Sequence, residues 1–267
     1  MEKLTLEEIQ KIELELLIEL NKICKKNNLH YTLAGGTLLG AIRHQGFIPW
    51  DDDIDVCMPR EDYEKFAIFM KKNYKNSYIQ CLFLEDTSFP FIKMIDTRIK
   101  IKGDIWDQAR KMKYIWIDIL PVDGLPSKKK KVKEIYKKAY GYRNQQIYAI
   151  GVHKGIAKSE ITRKIKKLLR PYYKKFDHYY WGRKLNKLGK QYKVKDCKYV
   201  GIVTWGLYGV GERMPKSGYL NTVEVNFEGY KFPAPKCWDF YLKGIYGDYM
   251  ELPPMEKRMK HNIQAYK

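Results

Sequence analysis

The stretch Gly35–Val56, GGTLLGAIRHQGFIPWDDDIDV, constrains this chain more than any other. An apolar run with Tyr31 and Leu33 leads into Gly35-Gly36, and a short helical stretch follows. Then four aspartates, Asp51, Asp52, Asp53 and Asp55, run into Ile54, Val56, Cys57 and Met58. Residues two apart in a strand point the same way, so Asp53 and Asp55 are expected to present two carboxylates on one face, with Ile54 and Val56 buried behind them. The glycine pair lets backbone approach a ligand, and the first turn of the next helix offers free N–H groups to phosphate. Hard oxygen ligands beside such a cradle predict a Mg²⁺ or Mn²⁺ site handling a nucleotide diphosphate.

Each half alone has a plainer reading. A glycine pair is often only a tight turn, and an acid cluster only a solvated loop. Their order, with D-x-D inside an apolar run, is what points to a site. Asp51 shares the parity of Asp53 and Asp55 and is expected at the metal or behind it. Asp52, of opposite parity, is expected to cap or to face solvent. Asp118 interrupts the apolar run Ile115–Leu120, where a charge is costly without a partner, and is expected to supply the third carboxylate. Its alternative is a buried aspartate bonded to backbone. Asp123, in a Pro/Gly turn, reads as structural. Thr37 is expected to cap its helix or add a hydroxyl contact.

The 267 residues suffice for one large domain or one domain with an appendage, and 45% of them are apolar. No stretch approaches the ~18–20 uninterrupted apolar residues of a membrane span. The acidic, periodic start MEKLTLEEIQ is unlike a signal peptide, which leads to a cytoplasmic expectation. Five scattered cysteines without C-x-x-C argue against a disulfide framework or zinc knuckle, and fit small core residues in a reducing compartment. The net charge of +20 is localised: Pro126–Lys198 holds 24 Lys and Arg against four acids, so the remainder is neutral. A polyanion-facing surface is the natural inference.

Thr5 with Glu8 forms a capping-box pattern, and Ile9, Ile12, Leu16, Leu17, Leu20, Ile23 and Cys24 recur at helical spacing to about Lys26. Further helices are expected at Thr37–His44, Arg60–Lys72, Lys128–Ile150, Lys158–Leu169, Tyr172–Tyr192 and Trp238–Tyr246. Strands are expected at Tyr31–Ala34, Ile54–Met58, Tyr78–Leu84, Phe91–Ile101 and Tyr114–Leu120, with a hairpin of Val223–Phe227 and Tyr230–Phe232. The pattern is that of an α/β (α+β) protein with helices inserted after an early sheet. We divide it into a catalytic core, 1–125, a basic helical insertion, 126–198, and a C-terminal part completing the core, 199–267.

Three blocks carry a family resemblance: Tyr31–Phe66, Ile115–Gly124 (IWIDILPVDG) and Phe232–His261 (FPAPKCWDFYLKGIYGDYMELPPMEKRMKH). They cover about a third of the chain and resemble the LicD family, which includes fukutin-like proteins. The resemblance implies a nucleotidyltransferase-like mixed sheet with flanking helices. It also implies transfer of a phospho-alcohol, phosphocholine foremost, from a CDP-alcohol such as CDP-choline to a glycan or lipid-linked glycopolymer such as a teichoic-acid precursor, with CMP leaving. A functional acid in the Asp118 block is implied too. On this reading Asp53, Asp55 and Asp118 are the catalytic acids, and Asp51 joins them as metal ligands. Gly35, Gly36, Thr37, Arg43, Lys93, Arg258 and His261 are expected on the substrate, although the cations among them, and His44 or Arg98, are equally consistent with surface charges.

Two competing functions remain at this level. A nucleotidyltransferase acting on a small molecule or glycan shares the carboxylates and differs in releasing pyrophosphate. A non-catalytic basic module binding nucleic acid or membrane explains the charge but leaves the D-x-D strand and Asp118 without a role; no zinc-finger or RNA-binding aromatic motif supports it. In the basic segment Ile156, Ile161, Ile165, Leu168 and Leu169 form an apolar stripe beside Tyr172–Trp181, which suits docking of an anionic polymer, contact with an anionic membrane at the inner face, or a stripe turned to the core. A choline head group calls for an aromatic cage. Trp116, Trp205, Tyr208 and Trp238 are its candidates.

Overall fold

The computed structural model describes residues 2–102, 111–150, 176–258 and 263–267, together with Glu160, Lys164 and Leu168. It is a mixed α/β structure, as the sequence pattern leads one to expect. In chain order its main elements begin α1 (Leu6–Lys26), β1 (Thr32–Leu33), α2 (Gly35–His44), β2 (Asp55–Pro59), α3 (Arg60–Asn73), β3 (Ile79–Leu82) and α4 (Leu84–Thr87). Next come β4 (Ile92–Lys102), β5 (Tyr114–Leu125), α5 (Lys129–Ile150), α6 (His178–Gly189), β6 (Tyr199–Ile202) and β7 (Met214–Pro215). The chain closes with α7 (Lys216–Leu220), β8 (Thr222–Phe227), β9 (Tyr230–Pro235), α8 (Trp238–Tyr246) and β10 (Gln264–Tyr266).

Strand β5 is the centre of the sheet. Its first half lies antiparallel to β4 and its middle runs parallel to β2, while its last residues pair with β6. Beyond these, β1 extends β2, β3 and β10 pair with different halves of β4, and β7 pairs with β6. The hairpin β8–β9 stands apart from the sheet and packs on β1 and α2. Helix α1 lies on β4 and β5, and α3 on β2, β3 and β5. The apolar stripe of α1 is buried throughout at Leu16, Leu17, Leu20 and Ile23, each stabilising the fold by about 1.5–3 kcal/mol. Its start is the capping box: Glu8 N–H donates to Thr5 Oγ1 at 3.3 Å and Thr5 N–H to Glu8 Oε2 at 2.8 Å.

Several expectations need correction. Helix α2 begins at Gly35, so the glycine pair is its first turn and not a linker before it. Strand β2 begins only at Asp55, and Asp53 precedes the ladder. Asp52 does not face solvent: it is buried. Asp123 is not in a turn but inside β5, fully buried, where its carboxylate takes a bidentate pair of bonds from Arg60 (2.7 and 2.8 Å). The strand continues through Pro121 for a simple reason. β5 pairs with β4 as far as Ile119 and with β6 only from Val122, so on that side nothing needs the N–H that proline lacks. Of the cysteines, Cys24 and Cys57 are buried and the other three are partly exposed; all are free thiols.

Helices α5 and α6 pack on each other and carry the described part of the basic segment. The expected helix Lys158–Leu169 and the start of Tyr172–Tyr192 fall outside the described residues, apart from Glu160, Lys164 and Leu168, which are exposed. Among the described residues, no helix is long and apolar enough to cross a membrane.

Candidate active site

Three neighbouring strands set three charged residues in one transverse row. Asp55 on β2 is the register partner of Asp118 on β5, and Asp118 is the partner of Lys93 on β4. Residues directly opposite in a ladder share a face, so the row points one way. Lys93 is almost wholly buried, and its ammonium donates to Asp118 Oδ1 at 2.5 Å. It also lies over the rings of Phe89 (4.2 Å), Trp116 (4.3 Å) and Phe91 (5.3 Å). This explains how a charge tolerates the apolar run of β5: a buried cation, itself caged by aromatic faces, compensates Asp118.

The glycine pair and the aspartates meet directly. A side chain on Gly35 would place its Cβ 3.0 Å from Asp55 Oδ2, and one on Gly36 would stand 2.7 Å from Asp51 Oδ2. Gly35 also has φ +51°, which favours glycine. The space over the first turn of α2 is therefore where the Asp51 and Asp55 carboxylates rest, at the positive end of the helix. Thr37, expected on the ligand, is buried one turn in, and its Oγ1 accepts from Asp55 N–H at 2.8 Å. It fixes the start of β2 relative to α2.

Asp51, Asp53, Asp55 and Asp118 all line a cleft of about 1140 Å³, as do Gly35, Gly36, Arg43, Lys93 and Arg258. Among the described residues of its wall there are seven carboxylates, the other three being Glu212, Asp248 and Glu251, against three cations. Burial, and then repulsion from Asp53 and Asp118, raise the Asp55 carboxyl well above the ordinary carboxylate range, with Lys93 opposing. Glu13 of α1 lies behind the acids, buried, and is raised in the same way by burial and by Asp53, Asp52 and Asp51. Among the described residues, no three His, Cys, Asp or Glu side chains are gathered into a ready-made metal cage. The oxygen-only donor set nonetheless suits Mg²⁺, which commonly takes one or two carboxylates and completes its shell with substrate phosphate and water.

The C-terminal segment forms the opposite wall. Arg43 Nη1 donates to the carbonyls of Tyr249 (2.7 Å) and Glu251 (3.3 Å), and its Nε to His44 Nε2 (3.0 Å). Arg258 lies 4.3 Å over the Trp50 ring, with its Nε donating to Pro253 O at 3.2 Å. Arg98 stands away from the cleft, paired with Asp96. His261 lies outside the described residues. Of the cage candidates, Trp205 and Tyr208 line the cleft, Trp116 lines it but is engaged by Lys93, and Trp238 does not line it. Glu212, Tyr246 and Glu13 were not singled out by the sequence reading.

The comparisons with known proteins bear on this cleft. Residues 28–148 match the family model described as LicD/FKTN/FKRP, nucleotidyltransferase domain. The lipopolysaccharide cholinephosphotransferase LicD of Haemophilus influenzae is 31% identical over 272 residues, covering 99% of this chain and 98% of that protein. The chain belongs to the LicD family. It is accordingly an enzyme, a phosphotransferase of the LicD type. Shorter likenesses, 48% identical over 48 residues and 18% of this chain, link it to uncharacterised proteins of Rickettsia prowazekii and Rickettsia typhi. The LicD family match spans Gly35, Lys93, Asp55 and Asp118, whereas Glu212, Tyr246 and Arg258 lie beyond it.

Proposed function

We propose that this chain transfers phosphocholine from CDP-choline to a hydroxyl of an anionic glycan or lipid-linked glycopolymer, a teichoic-acid precursor being one such acceptor, with release of CMP. The observation that carries the reading is the Asp55–Asp118–Lys93 row on the floor of an acidic cleft. Its volume, about 1140 Å³, exceeds the roughly 300–1,000 Å³ of a pocket for one drug-sized ligand, and so suits a donor together with part of an acceptor.

Asp53 and Asp55, with Asp51 and Asp118 beside them, would hold Mg²⁺ or Mn²⁺. Such an ion, when bound, screens the charge gathering on the departing nucleotide. The remaining work falls to the protein. Asp118, held by Lys93, takes the proton of the acceptor hydroxyl, whose oxygen forms a bond to the phosphorus carrying choline. The bond from that phosphorus to the bridging oxygen of the diphosphate breaks, and CMP leaves with the electron pair. Arg43 and Arg258, held by carbonyls of the C-terminal wall, would meet donor phosphates.

A second cleft, about 840 Å³, lies among α3, α5 and α6 and supports the anionic acceptor. Its described wall carries Arg60, Lys71, Lys138, Arg183, Lys184, Lys187 and Lys190 against only Glu64 and Glu85. We place the enzyme in the cytoplasm, touching the inner face of the membrane through its basic segment while a lipid-linked acceptor is served. The decisive experiment incubates the chain with CDP-choline, CDP-glycerol and CTP, with and without Mg²⁺, Mn²⁺ or EDTA, and follows CMP and pyrophosphate. CMP from CDP-choline, abolished by EDTA, is expected; pyrophosphate from CTP, or no product from any CDP-alcohol, would overturn the reading.

A further inference from the structure

Away from the aspartates, the acidic cleft is walled by the loop that follows β6 and by α8. Two glycines lock them together: a Cβ on Gly211 would lie 2.1 Å from Gly244 O, and one on Gly244 would lie 2.6 Å from Gly211 O. That close approach sets the Tyr208 ring edge-on to Tyr246, centroids 5.2 Å apart and planes at 76°. Trp205 lines the same cleft, and Tyr208 is about half exposed. Behind the rings Glu212 is 3% exposed; its Oε1 accepts from Tyr208 N–H at 3.3 Å and its Oε2 from the Tyr241 hydroxyl at 3.5 Å.

We infer that Tyr208, Tyr246 and Trp205, with Glu212 behind them, seat the quaternary ammonium of the transferred choline. The inference deepens the function proposed above and rests on it. Two perpendicular rings offer a cation two electron-rich faces or a face and a corner, which is how aromatic cages hold a trimethylammonium group. That group has no N–H to donate, so through-space attraction is all a carboxylate can give it. Glu212 is built for this: its oxygens already accept hydrogen bonds and its charge sits behind the rings. Burial pushes its carboxyl up to about 7, only partly offset by the Tyr208 N–H bond and then by Arg143 of α5, so a cation in the cleft relieves a standing cost. Lys93 shows the same chemistry elsewhere in the cleft, an ammonium between aromatic faces with a carboxylate beside it. A hydrated divalent ion gains little from ring faces, and a neutral polyol would want unspent donors and acceptors.

The competing occupant is the cytosine of the donor, stacked on Tyr208. The test titrates tetramethylammonium and, separately, CMP into the full chain by calorimetry, with Tyr208→Ala, Tyr208→Phe, Tyr246→Leu and Glu212→Gln. Expected is tetramethylammonium affinity lowered about tenfold in Tyr208→Ala and Tyr246→Leu, lowered in Glu212→Gln and kept in Tyr208→Phe, with CMP affinity unchanged throughout. Absence of tetramethylammonium binding to the unaltered chain, or a Tyr208→Ala loss confined to CMP, overturns the cage. Turnover separates the two levels. CMP release from CDP-glycerol but not CDP-choline sinks the cage and leaves phospho-alcohol transfer standing. Failure with every CDP-alcohol sinks the proposed transfer, while the tetramethylammonium titration still decides the cage.

Discussion

Glu212→Gln is expected to change how stability depends on pH, by an amount the structure sets. Burial raises the Glu212 carboxyl from 4.5 to about 7. Between those values the unfolded chain has lost this proton while the folded chain keeps it. The folded state thus binds more protons, and its stability falls as pH rises through that window. At 1.36 kcal/mol per pK unit the full penalty is about 3 kcal/mol, and most of it accrues between pH 5 and 8.5. Glutamine keeps acceptor and shape but has no charge to develop. The variant should therefore gain on the parent chain by about 2–3 kcal/mol over that range.

Urea unfolding of both proteins at intervals from pH 5 to 8.5 measures this directly. The attraction of Arg143 for the Glu212 charge is already contained in the raised value and adds no separate contribution to the difference. The other titratable groups facing Glu212, Tyr136, Tyr208 and Tyr241, are raised above 10 and do not titrate in the window. Asp55 and Glu13 are also raised, but they are common to both proteins and cancel in the difference. A gap that stays constant with pH would refute the reasoning.

Three further outcomes are expected. Asp118→Asn should lower CMP formation by about 10²–10⁴-fold, the range for a lost proton acceptor, while equilibrium dialysis shows the CDP-alcohol still bound. Arg60→Met leaves the fully buried Asp123 without its bidentate partner and should cost about 3–5 kcal/mol in urea unfolding; the simultaneous change to Asp123→Leu should recover much of it. Lys184→Glu with Lys187→Glu should raise KM for an anionic acceptor several-fold and leave KM for the donor alone; an equal rise in both would deny the second cleft its role.

What could be read from sequence was what is decided locally. The Thr5–Glu8 box and the stripe on α1 need only neighbours three and four residues away. Asp118 was legible because a charge in an apolar run demands a partner, but that the partner is Lys93 depends on the register of β4 against β5. Asp123 was misread because Pro121 and Gly124 resemble turn signals, and only the gap between two ladder partners lets the strand pass through them. Parity failed for Asp52, since the chain is not yet a strand there. Glu13 did leave a trace: it falls on the buried face of α1 between Ile9 and Leu16, where an acid is out of place. Tyr208 could be picked out only as one of several cage candidates, and Glu212 and Tyr246 left no trace, because Gly211 and Gly244, far apart in sequence, create their contact.

The bare value of +20 hides a division that matters more than its size. The aspartate cleft is acidic and the neighbouring one basic, although both belong to the same strongly cationic chain. Salt screens exposed charges beyond about 8 Å, so a ligand approaching from solvent meets mainly the charges of the cleft it enters. Aromatic rings stand between them: Phe91 lines the basic cleft, Phe89 the acidic one, their centroids are 5.2 Å apart, and Trp205 packs edge-on to both. On the proposed transfer to a polyanion, this arrangement would resolve a conflict. Acceptor phosphates entering the carboxylate-lined cleft would be repelled, yet a sugar hydroxyl must reach its floor. With the phosphates held on α5 and α6, only a neutral part of the polymer needs to cross the rings. A donor bringing a cation to the acids then meets an acceptor whose charges stay outside.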